Sequence, residues 1–142
     1  MKDDFIITTD KSKIDVSYVH QFLTHSYWAK NIPIETVHRS INGALCFSVF
    51  HLQQQIGFAR VITDEATFAY LADVFIDKKF RGKGLSKWLM ETIKNYPTLQ
   101  GLRRFLLATQ DAHGLYCQFG FEPLTNVDRW MHIHKPDIYN SH

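Results

Sequence analysis

One stretch in the middle of the chain restricts the possible folds more than any other. Leu71 to Met90 reads LADVFIDKKFRGKGLSKWLM. An apolar run ends at Ile76, a basic turn with Gly82 and Gly84 follows, and an apolar pattern at helical spacing begins at Leu85. A strand that enters a helix through two glycines presents free N–H groups and the positive end of the helix dipole to one spot. Such a junction suits an anion. Glycine lets the backbone curl and lets a ligand approach, because no Cβ stands in the way. Two well-known phosphate loops fail here. A Walker A loop needs Lys and then Ser or Thr after its last glycine, and Gly84 is followed by Leu85. A Rossmann fingerprint needs a third glycine, and that place holds Lys87. On these residues alone, an ordinary glycine turn with a solvated basic edge, KKFRGK, stands as the alternative.

The flanking sequence reads as strands and helices in alternation. Phe5 to Thr9 is a short strand, and Ile14 to Trp28 places Val16, Val19, Phe22 and Leu23 at helical spacing. Pro33 sits near the first position of a second helix, IETVHRSI. ALCFSVFHL and IGFARVITD read as antiparallel strands with a tight connection. TFAYLADVFID follows as a third, after the turn-like Asp64-Glu65. Alternation on that strand puts Ala69, Leu71, Asp73 and Phe75 on one face, and Phe68, Tyr70, Ala72, Val74 and Ile76 on the other. The helix from Leu85 to about Tyr96 stops at Pro97. RRFLLAT is a strand, DAHGLYCQFG a helix ended by Gly120, and FEPL and RWMHIH two closing strands. The order is that of an α+β fold, a mixed sheet covered by helices.

Composition narrows the class. The 142 residues suit a single domain spanning 1–142. A chain of that size buries roughly 68–70% of its unfolded surface, enough for a core without staples. A net charge of +2 gives no global field for nucleic acid or an anionic membrane. The basic run is short and has no interleaved aromatics, which also argues against nucleic acid. Cys46 and Cys117 have apolar or aromatic neighbours and no CxxC spacing, so both are expected to be reduced and buried. The acidic N-terminus MKDDFIITTD has no signal-peptide pattern, and no run approaches the ~20 apolar residues of a membrane span. A soluble, cytoplasmic protein is the expectation.

Two motifs add up to a resemblance. Arg81-Gly82-Lys83-Gly84-Leu85-Ser86 resembles the R/Q-x-x-G-x-G/A motif of the GNAT N-acetyltransferases, with Ser86 where that family has Gly or Ala. Ala112 to Phe121, AHGLYCQFGF, resembles the same family's A-x-x-L-Y-x-x-x-G-F signature. A strand between two helices separates them, and the order of elements matches the family from end to end. The resemblance covers Leu71 to Phe121 closely and the first half of the chain in architecture only.

The resemblance implies a mostly antiparallel sheet flanked by helices and splayed between the fourth and fifth strands. It implies acetyl-CoA as cosubstrate. The anion at the helix start becomes the pyrophosphate, held by backbone amides from Lys83 through Gly84, Leu85 and Ser86 to Lys87, with Gly82 and Gly84 letting the backbone approach and Arg81 and Lys83 adding charge. Backbone groups of Val74, Phe75 and Ile76 pair with the pantetheine arm. Gly114 lies on the cofactor side of the second motif, and Thr109 stands where the family often has an Asn that reaches the cofactor. Tyr116 matches the family's general acid, which returns a proton to the departing thiolate. Without the resemblance, Tyr116 is simply a core aromatic.

Other roles are more open. Asp73, on the strand that would carry the thioester, either relays a proton through water as a base or ties the strand to a nearby loop. Glu35, His38, Asp111 and His113 are weaker candidates for the base. Tyr27 and Trp28 lie between the first two helices, where the family forms its acceptor site; core packing is the alternative. His132 and His134 share a face of the last strand, but no third ligand is evident and no metal site is read. The expected reaction is acetyl transfer to a primary amine on a small molecule or a peptide. A non-catalytic acyl-CoA-binding sensor or interaction module of the same fold is the runner-up. No nucleic-acid or membrane partner is expected, and a homodimer fits the family.

Overall fold

The computed structural model describes residues 4–140. Five strands make one sheet in chain order: β1 (Phe5–Thr8), β2 (Leu45–His51), β3 (Gln54–Thr63), β4 (Phe68–Ile76) and β5 (Arg104–Leu107). The first four are antiparallel neighbours, and β5 runs parallel to β4. A parallel neighbour needs a crossover, and α3 (Leu85–Lys94) supplies it. The two closely spaced hairpins follow from their turns. Leu52 takes a left-handed φ of 57° between β2 and β3. The Asp64 carboxylate accepts from the N–H groups of Ala66, Thr67 and Phe68 between β3 and β4.

Each face of the sheet has its own core. α1 (Val16–Thr24) and α2 (Ile34–Asn42) pack Val19, Leu23, Val37 and Ile41 against Cys46, Phe58 and Phe75. α3 packs Leu85, Leu89, Met90 and Ile93 against Phe47, Val49, Ala59 and Val61 on the opposite face. Asp15 caps α1 by accepting from Tyr18 N–H at 3.1 Å. The first helix is shorter than its apolar pattern and ends at Thr24, and Pro33 caps α2 from outside and does not occupy its first turn.

Period-two alternation fails on β4, and the reason is local. Asp73 has a φ of 55°, unusual for a residue with a Cβ. Opposite it the register with β3 slips, since Arg60 pairs with Ala72 while Phe58 pairs with Phe75. This is a β-bulge, and one extra residue flips every later side chain. Ala69 and Leu71 therefore face the α3 core, yet Phe75 faces α1 and Ile76 faces α3. The expected grouping of Phe75 with Leu71 is corrected.

The two closing strands are also corrected. Neither FEPL nor RWMHIH forms a strand; residues 121–124 are irregular and Val127–Arg129 is a single 3-10 turn. A strand exists only when it pairs, and β5 ends the sheet without a further neighbour among the described residues. The C-terminal arm takes another course. Arg104 stacks over the Trp130 ring at 4.7 Å, and Asn31 Nδ2 donates to Asn140 Oδ1 at 3.2 Å. Cys117, expected to be buried, is exposed on the short helix α4 (His113–Cys117); both cysteines are free thiols. Among the described residues no helix is long and apolar enough to cross a membrane.

Candidate functional site

Pairing between β4 and β5 runs from Phe68 opposite Arg104 to Leu71 opposite Leu107, and stops. β4 continues alone to Ile76, so the sheet parts and a cleft of about 510 Å³ opens. One wall is Tyr70 to Ile76; the other is Leu107 to Ala112 with Tyr116. Arg81 and Ser86 close the α3 end, and Phe22, Tyr27 and Trp28 line the α1 side. The parted stretch of β4 leaves backbone donors and acceptors without a strand partner on that side. An amide-bearing ligand would complete them.

At the α3 end the backbone is shaped for an anion. Gly82 and Gly84 have φ values of 79° and 80°, which other residues adopt only with strain. A Cβ built on either would meet nothing within 4 Å, so the space before the helix is open. Gly84 is the N-cap and offers no side-chain acceptor, so the first-turn N–H groups are uncommitted within the chain. The turn is braced from below. Arg81 Nε donates to the Ile76 carbonyl at 3.0 Å. Asp77 accepts from Lys79 N–H and from the Tyr18 hydroxyl, each at 3.0 Å. Burial, reinforced by Asp77, pushes the Tyr18 hydroxyl up, so it remains a donor. Lys83 is exposed at the rim.

At the other end, Tyr116 is buried, its ring edge-on to Phe121 at 6.0 Å. Burial raises its pKa, with smaller contributions from Tyr27 and Asp111. Its hydroxyl is therefore a retained proton on the wall of the cleft. Thr109, expected on the cofactor, spends its hydroxyl on the Ala112 N–H at 3.1 Å, which starts α4. Gly114 is exposed with open space at its Cβ position.

Tyr27 and Trp28 are fastened to opposite walls. The Trp28 indole N–H donates to Asp73 Oδ1 at 2.8 Å, on β4. The Tyr27 hydroxyl accepts from Gln110 N–H at 3.3 Å, beyond β5. Their rings meet edge to face at 5.1 Å, and Phe22 stacks on Phe75 at 3.8 Å beside them. Asp73 has a second donor, Arg60 Nε, 2.8 Å from Oδ2, with Arg60 and Asp73 side chains only 17% and 8% exposed. Both carboxylate oxygens are thus engaged, and the bulge that aims Asp73 also anchors Trp28.

Arg60 and Gln110 were not singled out from the sequence. Arg60 had a signal: it is the lone cation inside the apolar strand IGFARVITD, and the next strand carries an acid, Asp73, in its interior. Gln110 acts through its backbone, which no side-chain pattern marks. Of the weaker candidates, Asp111 lines the cleft and His113 lines a groove outside β5, while Glu35 and His38 sit exposed on α2, outside the cleft. The His132 and His134 rings lie 5.6 Å apart, tilted by 32°, near the C-terminus. Among the described residues no group of three His, Cys, Asp or Glu side chains gathers as a metal site would need.

With this geometry in place, the similarities to known proteins become informative. The family model of the acetyltransferase (GNAT) domain matches residues 42–123. A candidate GNAT-family acetyltransferase from Xanthomonas campestris pv. campestris, known from a crystal structure, is 46% identical, with a TM-score of 0.95 over 96% of this chain and 97% of that one. An acetyltransferase candidate of Gibberella zeae is 26% identical over 138 residues, covering 81% of this chain and 77% of its own. In fold alone, a Clostridium acetobutylicum acetyltransferase candidate whose crystal structure includes acetyl-CoA aligns with a TM-score of 0.68 at 15% identity, over 92% of this chain and 94% of that one.

Proposed function

The chain belongs to the GNAT family of acetyltransferases, and from that premise we propose that it transfers the acetyl group of acetyl-CoA to a primary amine. One domain, residues 1–142, carries the reaction. The observation that bears most weight is the parted sheet, with an open helix start at one end and a buried, protonated tyrosine at the other. The pyrophosphate would lie before α3, on the backbone amides from Lys83 to Lys87, where the space beside Gly82 and Gly84 is open. Arg81 and Lys83 add charge, modest because both are exposed. The pantetheine would continue the ladder along Val74, Phe75 and Ile76. Thr109 contributes by shaping the start of α4, and Gly114 leaves space beside it.

The chemistry is a direct transfer. A neutral amine attacks the acetyl carbonyl; a C–N bond forms, the carbonyl oxygen gains charge, and the C–S bond then breaks. A backbone N–H near Phe75 suits the oxyanion. Tyr116 gives its proton to the departing sulfur, and the amine loses one to solvent. Tyr27 and Trp28 form the acceptor's aromatic wall. Asp73 is proposed to hold Trp28 in place: its two oxygens already accept from Arg60 and the indole, which supports positioning over a base role.

Thiol release from acetyl-CoA, followed across a panel of small-molecule and peptide amines, tests the proposal. Amine-dependent release is the expected result. Tight acetyl-CoA binding with no release on any amine would favour the non-catalytic sensor instead.

A further inference from the structure

Given acetyl transfer in the cleft, the reading on which this rests, we propose that the acceptor is a small cationic amine with an apolar body, and that a fixed strap of Tyr27 and Trp28 keeps peptide and protein lysines out. A gap between two strands faces both sides of the sheet. The α3 side holds the open helix start, so the cofactor takes that side. The acceptor is left with the α1 side, where Phe22, Tyr27 and Trp28 stand. Tyr27 and Trp28 are neighbours in the chain, with Cα atoms about 3.8 Å apart. Yet Trp28 donates to Asp73 on β4 at 2.8 Å, and the Tyr27 hydroxyl accepts from Gln110 N–H beyond β5 at 3.3 Å. A two-residue stretch that holds both walls crosses the gap between them.

The strap is built as a fixed element. Ser26 is buried, and its hydroxyl donates to the Leu23 carbonyl at 2.7 Å while accepting from Ala29 N–H at 3.1 Å. Asn31 N–H donates to the Thr24 carbonyl at 2.9 Å, and Ile32 N–H to the Ala29 carbonyl at 3.0 Å. Ala29 and Ile32 are anchored in the α1–α2 core. A loop closed by its own bonds in this way is compact and holds its side chains in place. Tyr27 and Trp28 line the cleft and yet are 59% and 42% exposed, as a bridge between cleft and solvent must be.

What passes a fixed strap must be slender. A lysine in a peptide brings main chain on both sides of its Cα, and the strap occupies the space that chain would need. A free amine brings no such flanks. The charges of the cleft choose its kind. Asp73 is neutralised by Arg60, whereas Asp111, on the far wall, has no ion pair among the described residues. An ammonium is drawn by Asp111 and by the aromatic faces of the strap; an amine that also carries a carboxylate is repelled. An apolar body packs on the same rings. The reacting end is near: Tyr116 has its pKa raised first by burial and then by Tyr27 and Asp111, so both stand close to its hydroxyl. Once the amine has lost a proton to water, its nitrogen attacks the thioester carbonyl. The C–N bond forms, the C–S bond breaks, and coenzyme A leaves as the thiol with the Tyr116 proton. The second proton of the attacking nitrogen returns through solvent to Tyr116.

Thiol release from acetyl-CoA, measured with phenethylamine, phenylalanine, Nα-acetyl-lysine methylamide and a short lysine-bearing peptide, tests this in the wild type and in Tyr27→Ala. Tyr27→Ala unfastens the strap from the Gln110 wall; Tyr27→Phe, which keeps the ring and loses only the hydroxyl, serves if circular dichroism shows the Ala variant unfolded. The expected wild-type result is a kcat/KM for phenethylamine about tenfold or more above that of each other acceptor. In the variant, the ratio of peptide to phenethylamine should rise by about tenfold. A wild type that uses the peptide, the lysine amide or phenylalanine as well as phenethylamine overturns the inference and leaves acetyl transfer standing. So does a ratio that Tyr27→Ala leaves unchanged. No thiol release with any amine, at intact acetyl-CoA binding, would instead overturn acetyl transfer itself and this inference with it.

Discussion

Asp73 concentrates three features at one residue: a left-handed φ, a short ion pair with Arg60, and a hydrogen bond to Trp28. Its importance was legible as a lone acid in an apolar strand, but its geometry was not, because alternation assumes an unbroken ladder and the bulge breaks it. A carboxylate whose oxygens are both engaged works best as an anchor. Asp73→Asn should therefore lower kcat/KM for the amine by the same factor at every pH, with a stability loss of about 1.5–3 kcal/mol for the weakened charged bonds. A loss concentrated at low pH, where the amine is most protonated, would instead make Asp73 the base. Arg60→Gln should reproduce the Asp73→Asn effect on kcat/KM for the amine without touching acetyl-CoA affinity. Tyr116 is the opposite case: the motif marked it, and the structure buries it on the cleft wall. Tyr116→Phe should cut single-turnover rates by about 10²–10⁴ and leave acetyl-CoA binding nearly unchanged. The pH dependence has a definite sign. Burial raises this pKa above its ordinary value of 10.0, so the proton is present below that pH and is lost only as pH rises through the higher folded value. The defect should stay constant through neutral and mildly alkaline pH. A Phe variant with wild-type single turnover would remove Tyr116 from the mechanism.

At the level of elements, α3 and its glycine turn were the most legible part of the chain, because every local signal agreed. An apolar strand, two glycines, an amphipathic run and Pro97 fix both ends, and the helix starts at Leu85 as read. The closing strands were misread for an equally physical reason. Alternation in RWMHIH records which residues want cover, and it does not record which edge supplies the pairing. The same limit applied to Ile14 to Trp28, where apolar residues continue past the point at which α1 ends and Tyr27 and Trp28 turn to the cleft. Gly84 gives the test at this scale. Its φ of 80° belongs to the left-handed region, and the space around it is open. Gly84→Ala should cost about 1–2 kcal/mol of stability for the backbone alone and weaken acetyl-CoA binding. Gly84→Glu should carry a similar backbone cost yet abolish binding, since its side chain enters the phosphate space with the wrong charge. Calorimetric titration of coenzyme A into both variants separates the two effects, and unchanged affinity in the Glu variant would place the anion elsewhere.

For the whole molecule, the cleft is a deliberate break in the sheet. β4 and β5 pair at one end only, so the two halves of the cleft are joined by α3, by the short pairing from Phe68 to Leu71, and by the Tyr27–Trp28 contacts across it. A ligand laid between them supplies contacts that the free chain lacks, and only the folded state offers that geometry. Acetyl-CoA at ~100 times its dissociation constant should therefore add about 2.7 kcal/mol to unfolding. In a domain of this size that is a rise of roughly 5–15 °C in Tm. Coenzyme A without the acetyl group should give most of the same shift, because the phosphate and pantetheine contacts remain. Tyr116→Phe should keep the shift while losing turnover, since its ring still packs on the wall. Gly84→Glu should lose both. This pairing of measurements separates an enzyme from a sensor. A sensor predicts the thermal shift with no thiol release in the wild type, so Tyr116→Phe would then change nothing. A wild type whose Tm is unmoved by millimolar acetyl-CoA would count against the cleft as the cofactor site altogether.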